Sequence, residues 1–125
     1  MEIVSNKPID PGEVYELIKK DTAGSVVLHF AVVRRSTENK TTSSIEFHAS
    51  GDVDEELRTI SDEIRKKWKI EDVLIIRRLG GLNIGDIISL VAISSPHREE
   101  AFEACRYGVD RLKKMSTITK KETFV

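Results

Sequence analysis

The stretch EDVLIIRRLGGLNIGDIISLVAISS runs from Glu71 to Ser95. EDVLIIRRL and IISLVAISS are short, apolar and rich in β-branched residues, and the glycine-rich GGLNIGD divides them. That pattern reads as strand, turn, strand. The glycines lack the spacing of a phosphate-binding loop, so GGLNIGD is read as a β-turn connection.

Helical patterns lie on either side. Upstream, DVDEELRTISDEIRKKW places Val53, Leu57, Ile60, Ile64 and Trp68 at intervals of three and four, which makes one helical face. Its acidic start and basic end complement the helix dipole. Downstream, SPHREEAFEACRYGVDRLKK reads as a second long helix, with Ser95 as cap and Pro96 at the first position. Phe102, Cys105, Val109 and Leu112 are its expected buried stripe.

Further out, IDPGEVYELIKK opens a helix capped by Asp10, with Pro11 and Glu13 suitably spaced and Val14, Leu17 and Ile18 as its apolar stripe. After Gly24, SVVLHFAVVRR is apolar on both alternating faces, which predicts a central strand covered on both sides. STENKTTS is expected to be an exposed polar loop, SIEFHAS a strand, and TITKKETFV a last strand. Two pairs of sequential strands among helices predict an α+β fold, a mixed sheet packed with helices, rather than a doubly wound parallel sheet. No linker or repeat divides residues 1–125, so a single domain is expected.

Composition narrows the function classes. A formal net charge of −1 and a pI near 6.3 argue against a general nucleic-acid binder. One cysteine, Cys105, excludes an internal disulfide and is expected to be a small core residue. No apolar run approaches the ~18 residues of a membrane span, and MEIVSNKPID lacks the layout of a signal peptide. Partners of nucleic acid or membrane are therefore not expected, and the expected location is cytoplasmic. His29 and His48 fall in different strands without a carboxylate or cysteine at ligand spacing, so no metal site is expected.

The candidate chemistry is cationic. His97 and Arg98 fall in the first turn of a helix, where cations are disfavoured but free N–H groups bind anions. They suit a phosphate or carboxylate; alternatively Glu99 and Glu100 offset the charge and His97 is simply exposed. Arg34 shares a strand face with Val26, Leu28, Phe30 and Val32, either rimming a pocket or reaching solvent. Lys113 and Lys114 end a helix, which by itself suits the dipole. In the last strand, alternation puts Lys120 with Ile118 and Phe124, and Lys121 with Thr117, Thr119 and Thr123. Lys120 is thus expected on the semi-buried side, where desolvation makes a lysine a usable nucleophile or acid/base.

Taken together, SSPHREEAFEACRYGVDRLKK, RRLGGLNIGD, GSVVLHFAVVRR and TKKE resemble the large, catalytic subunit of molybdopterin synthase, in order from Gly24 to Glu122. The resemblance implies an α/β-hammerhead type of fold and a homodimer, forming a heterotetramer with two small ubiquitin-like subunits. It implies a sulfurtransferase: the small subunit's Gly-Gly tail, as a thiocarboxylate, supplies sulfur to cyclic pyranopterin monophosphate to form the molybdopterin dithiolene. No cofactor or metal is implied. By the resemblance Lys113 is the main catalytic lysine and Lys120 its assistant. Val32, Val33, Arg34, His97, Arg98, Lys121 and Glu122 are implied to contact substrate. Departures from the family pattern are Ala31 for a usual Gly, Arg35 for a common Asn, and Thr117, Ile118 and Thr119 for Pro-x-Trp; many relatives also continue past Val125. They motivate a second reading, a non-catalytic relative that binds the tail or pterin without turnover.

Overall fold

A computed structural model describes residues 1–37 and 39–125; Glu38, in the expected polar loop, lies outside the described residues. The chain begins with β1 (Glu2–Ser5), a 3-10 turn at Pro11–Glu13, α1 (Val14–Ile18), β2 (Ser25–Val32), β3 (Ser36–Thr37) and β4 (Lys40–Ala49). It continues with α2 (Val53–Lys67), β5 (Asp72–Arg78), β6 (Gly80–Leu82), β7 (Ile87–Ser95), α3 (Arg98–Lys113) and β8 (Ile118–Phe124). This is the expected α+β class, a mixed sheet packed with helices.

The two strands of Glu71–Ser95 are the centre of the first sheet, whose order is β1-β5-β7-β2. β5 and β7 pair antiparallel, and β1 runs parallel to β5. Val73, Ile75, Val91 and Ile93 pack under α2 and α3, against Leu57, Ile60 and Ile64. Leu74, Ile76, Leu90 and Ala92 pack on the other face with Val14 and Ile18. Both faces are covered, so polar alternation vanishes from these strands. Each such Ile or Leu stabilises the fold by roughly 1.5–3 kcal/mol.

SVVLHFAVVRR does not fill the central position expected for it. β2 is an edge strand, with Leu28 and Val32 exposed. Apolar residues on both faces report contact above and below a strand, not pairing on its free edge. The register also shifts between Ala31 and Val32, which breaks the alternation that placed Arg34 on the face of Val32.

α2 matches its stripe, and Asp52 caps it by accepting from the Glu55 amide at 3.0 Å. α3 matches its stripe in part: Cys105 is in the core and Val109 and Leu112 pack against it, but Phe102 does not. Its buried residues are Ala101, Ala104, Cys105 and Gly108, while Phe102 is 61% exposed and Val109 and Leu112 are half-buried. Small residues let the helix lie close to β7: a Cβ added to Gly108 would sit 3.0 Å from Val91 Cγ1. The helix begins at Arg98, so Ser95 and Pro96 precede it; the Ser95 hydroxyl donates to the His97 carbonyl at 2.8 Å instead of capping the helix. In α1, likewise, Val14 and Ile18 are buried but Leu17 points outward.

The second sheet is built on β4, which pairs with β3, β6 and β8. Its first half lies in the expected loop STENKTTS, because Ser36 and Thr37 turn back to pair with Lys40 and Thr41. GGLNIGD is likewise more than a turn: Gly80–Leu82 pair with Ile45–Phe47 before the chain reverses. Gly85, at φ +90°, occupies a conformation that glycine adopts without strain. Val33, Ile45, Phe47, Leu79 and Leu82 form the core beneath this sheet. Among the described residues no helix is long and apolar enough to cross a membrane.

Candidate functional site

A cleft of about 600 Å³ opens where the two sheets meet the C-terminal end of α3. Four of its lining residues are cations: Arg34, Arg77, Lys113 and Lys120. Among the described residues none that lines it is acidic, and His29 also faces the cleft. Phe30, Phe47, Leu112, Met115 and Ile118 supply apolar wall. An apolar surface holding several cations and no carboxylate suits an anion with a flat, partly apolar body.

The predicted residues divide into two groups. Lys113, the last residue of α3, and Lys120, on β8, both face the cleft, with Val32 and Arg34 across it. Lys114 does not line it and ends the helix as exposed charge. Lys120 shares a face with Ile118 as alternation requires, but it is 54% exposed rather than desolvated. What distinguishes it is a neighbour: Glu122 Oε1 lies 3.4 Å from its Nζ. The Glu122 side chain is only 8% exposed and also accepts from the Thr42 hydroxyl. Lys121 points elsewhere, paired across the strands with Glu46. Val33 is a core residue whose amide donates to the Asp86 carbonyl at 3.0 Å.

His97 and Arg98 stand apart from the lysines. They line a separate hollow with Ser25, Pro96 and Glu99. Ser25 and Val32 are the two ends of β2, and seven steps of ~3.3 Å separate them by more than about 20 Å. Within one chain this pair does not reach the lysine cleft.

Of the cleft's cations, Arg77 was not singled out from the sequence, and His29 was weighed there only as a metal ligand. Arg77 lies one residue before the end of β5, on the face of Val73 and Ile75, and is only 8% exposed. Its guanidinium carbon lies 4.3 Å from the centroid of Phe47. Burial alone pulls its pKa down to about 10, so it remains charged at neutral pH. An arginine pair closing an otherwise apolar, doubly covered strand was the available signal. Cys105 is the opposite case: burial pushes its thiol up to about 11, and it is a core residue.

The two lysines are spaced by a turn that α2 holds in place. The Glu56 carboxylate accepts from the amides of Ser116 and Thr117 at 3.0 and 3.1 Å, and from the Thr117 hydroxyl at 2.6 Å. Partial burial raises the Glu56 pKa. The Thr117 hydroxyl, the two amides and the charge of Arg111 outweigh that effect, and the carboxyl sits below its ordinary value. Residues 114–117 are thus pinned between the end of α3 and the start of β8.

A family model described as MoaE protein matches residues 4–115. The molybdopterin synthase catalytic subunit of Nostoc sp. is 40% identical over 119 residues, covering 92% of this chain and 71% of that protein. The crystal structure of molybdopterin synthase from Staphylococcus aureus superposes with a TM-score of 0.91 at 34% identity, covering 98% of this chain and 90% of that one. A complex of subunits 1 and 2 of molybdopterin-converting factor from Helicobacter pylori shares the fold, with a TM-score of 0.77 at 15% identity, over 98% of this chain and 84% of that one.

Proposed function

The chain belongs to the MoaE family of molybdopterin synthase catalytic subunits, and on that premise we propose that its cationic cleft is the seat of sulfur transfer. The carrying observation is the cleft itself, with four cations and no carboxylate among the described residues of its wall. The proposed sulfur donor is a small ubiquitin-like subunit whose Gly-Gly tail ends in a thiocarboxylate. Glycines lack side chains, so such a tail can enter a narrow channel. The proposed acceptor is cyclic pyranopterin monophosphate, whose phosphodiester and flat pterin suit the cations and apolar walls.

In this reaction the tail's sulfur bonds to a substrate carbon as a carbon–oxygen bond of that carbon breaks, the oxygen leaving on the phosphate or, once protonated, as water. Water then cleaves the bond between that sulfur and the tail's carbonyl carbon, which returns the tail as a carboxylate. A second tail repeats the exchange at the neighbouring carbon to complete the dithiolene. Negative charge develops on the carbonyl oxygen during cleavage. Lys113, at the helix end, is assigned to stabilise it. Lys120, held by Glu122, is assigned to proton transfer and to the charge of the substrate. A donor placed at such an oxyanion contributes about 10²–10³-fold in rate. The sulfur comes from the partner, so the chain's own task is binding, charge stabilisation and proton movement.

The position of His97 and Arg98 bears on assembly. A homodimer in which one copy's His97 and Arg98 complete the other copy's cleft would bring the separated cations together. With two small subunits this is a heterotetramer, and we place it in the cytoplasm. The reading without turnover is not favoured, because the relatives are catalytic subunits.

The test is conversion. The protein, a thiocarboxylated small subunit and cyclic pyranopterin monophosphate are expected to yield molybdopterin. Mixed Lys113→Ala and Arg98→Ala copies are expected to recover part of the activity that each lacks alone. Absence of product, with a reference subunit active alongside, would overturn the reading.

A further inference from the structure

We infer that Arg77 is a substrate-anchoring residue, binding the phosphate of the small-molecule substrate from the floor of the cleft. The inference rests on the function proposed above and adds a contact that neither the strand pattern nor the resemblance supplied. Arg77 is 92% buried by its 8% exposure, yet it has no carboxylate partner and no hydrogen-bond acceptor among the described residues. Its Nε is fully enclosed and unsatisfied. Buried cations are costly unless paired, so a guanidinium at this depth in a cleft wall suits an anionic ligand.

Geometry selects the kind of anion. The guanidinium packs on the Phe47 ring, and both residues line the cleft. A fixed planar fork binds two oxygens of one phosphate better than a lone ammonium does. Depth selects the source. Lys113, assigned to the tail's carbonyl, is exposed, whereas Arg77 is nearly enclosed in the cleft wall, where a small molecule fits better than a protein tail. Its backbone is paired on both sides within the first sheet, opposite Val4 of β1 and Ser89 of β7.

The experiment compares wild type with Arg77→Met, which keeps much of the volume and removes the charge, and Arg77→Lys, which keeps the charge and removes the fork. Binding of cyclic pyranopterin monophosphate is measured by calorimetry without the small subunit. Binding of the small subunit in its carboxylate form is measured separately. Loss of a charge-assisted phosphate contact weakens substrate binding about 10- to 100-fold in Arg77→Met. Arg77→Lys is expected to recover only part of it, and small-subunit affinity is expected to hold. The melting temperature of ligand-free Arg77→Met is expected to stay level or rise, because an unpaired buried charge has been removed. Unchanged substrate affinity in Arg77→Met, beside a wild type that binds, overturns this assignment and leaves the proposed function standing. Weakened small-subunit binding with intact substrate binding assigns Arg77 to the tail and overturns it as well. A wild type that binds no substrate removes both.

Discussion

Charge is treated differently on the α2–α3 seam and in the cleft. On the seam, Glu63 takes Arg111 at 2.8 Å and the Tyr107 hydroxyl at 2.7 Å. Nearby, Asp72 takes Arg65 at 2.7 Å and Lys20 at 3.3 Å. In the cleft, Arg34, Arg77 and Lys113 have no acidic or hydrogen-bonding partner among the described residues, and only Lys120 has a carboxylate beside it. The seam's charges hold elements together. The cleft's charges are left for something that arrives. Pairing, rather than the number of cations, separates a structural basic region from a functional one.

The sharpest way to break this comparison is to empty the cleft of its lysines. Lys113→Ala/Lys120→Ala is expected to lower the rate of molybdopterin formation by at least about 10³-fold. Its melting temperature should stay close to wild type, since both side chains are exposed. A large loss of stability would show that these lysines belong with the seam's charges.

Glu56 tests the boundary between the regions, because it is a paired charge that serves the cleft. Glu56→Gln is expected to slow conversion about tenfold, by loosening the turn between the lysines, while small-subunit binding stays near wild type. The pH dependence has a definite sign. A carboxyl held below its ordinary value stabilises the fold fully above about pH 4.3, and loses that contribution as pH falls through its folded value. Thermal melts from pH 6 to pH 3 should therefore fall less steeply in Glu56→Gln than in wild type.

The seam gives a smaller effect of another kind. Arg111→Met removes the partner of Glu63, but both side chains are part-exposed and Tyr107 still donates. About 0.5–1 kcal/mol of stability should be lost in denaturant titration, with activity unchanged in the conversion assay.

Elements with strong periodicity were legible in the sequence. α2 shows its stripe, its cap and its charge gradient, and β5 and β7 show the apolar runs of doubly covered strands. The misread elements share a cause: local hydrophobicity does not state which neighbour an element meets. Phe102 is the largest apolar residue of its segment but points outward, because close packing on Val91 requires Ala104 and Gly108 inside. β2 has the composition of a central strand and the position of an edge. β6 is hidden by two glycines, whose pairing is specified by Ile45–Phe47, 33 to 37 residues upstream. The cleft was half legible. Lys120 could be singled out from its own strand, whereas Lys113 and Arg34 were distinguished from ordinary surface charge only by the family resemblance. Arg77 and His29 join them only through tertiary convergence, and His97 and Arg98 are carried to the far end of β2.

The most direct measurement compares two adjacent lysines in a single-turnover assay with thiocarboxylated small subunit and cyclic pyranopterin monophosphate. Lys113 faces the cleft, and Lys114 ends the helix in solvent. The account predicts that Lys113→Ala loses about 10²-fold or more in rate, with its fold intact, while Lys114→Ala matches wild type. Equal rates for the two variants, or a loss confined to Lys114→Ala, would contradict it.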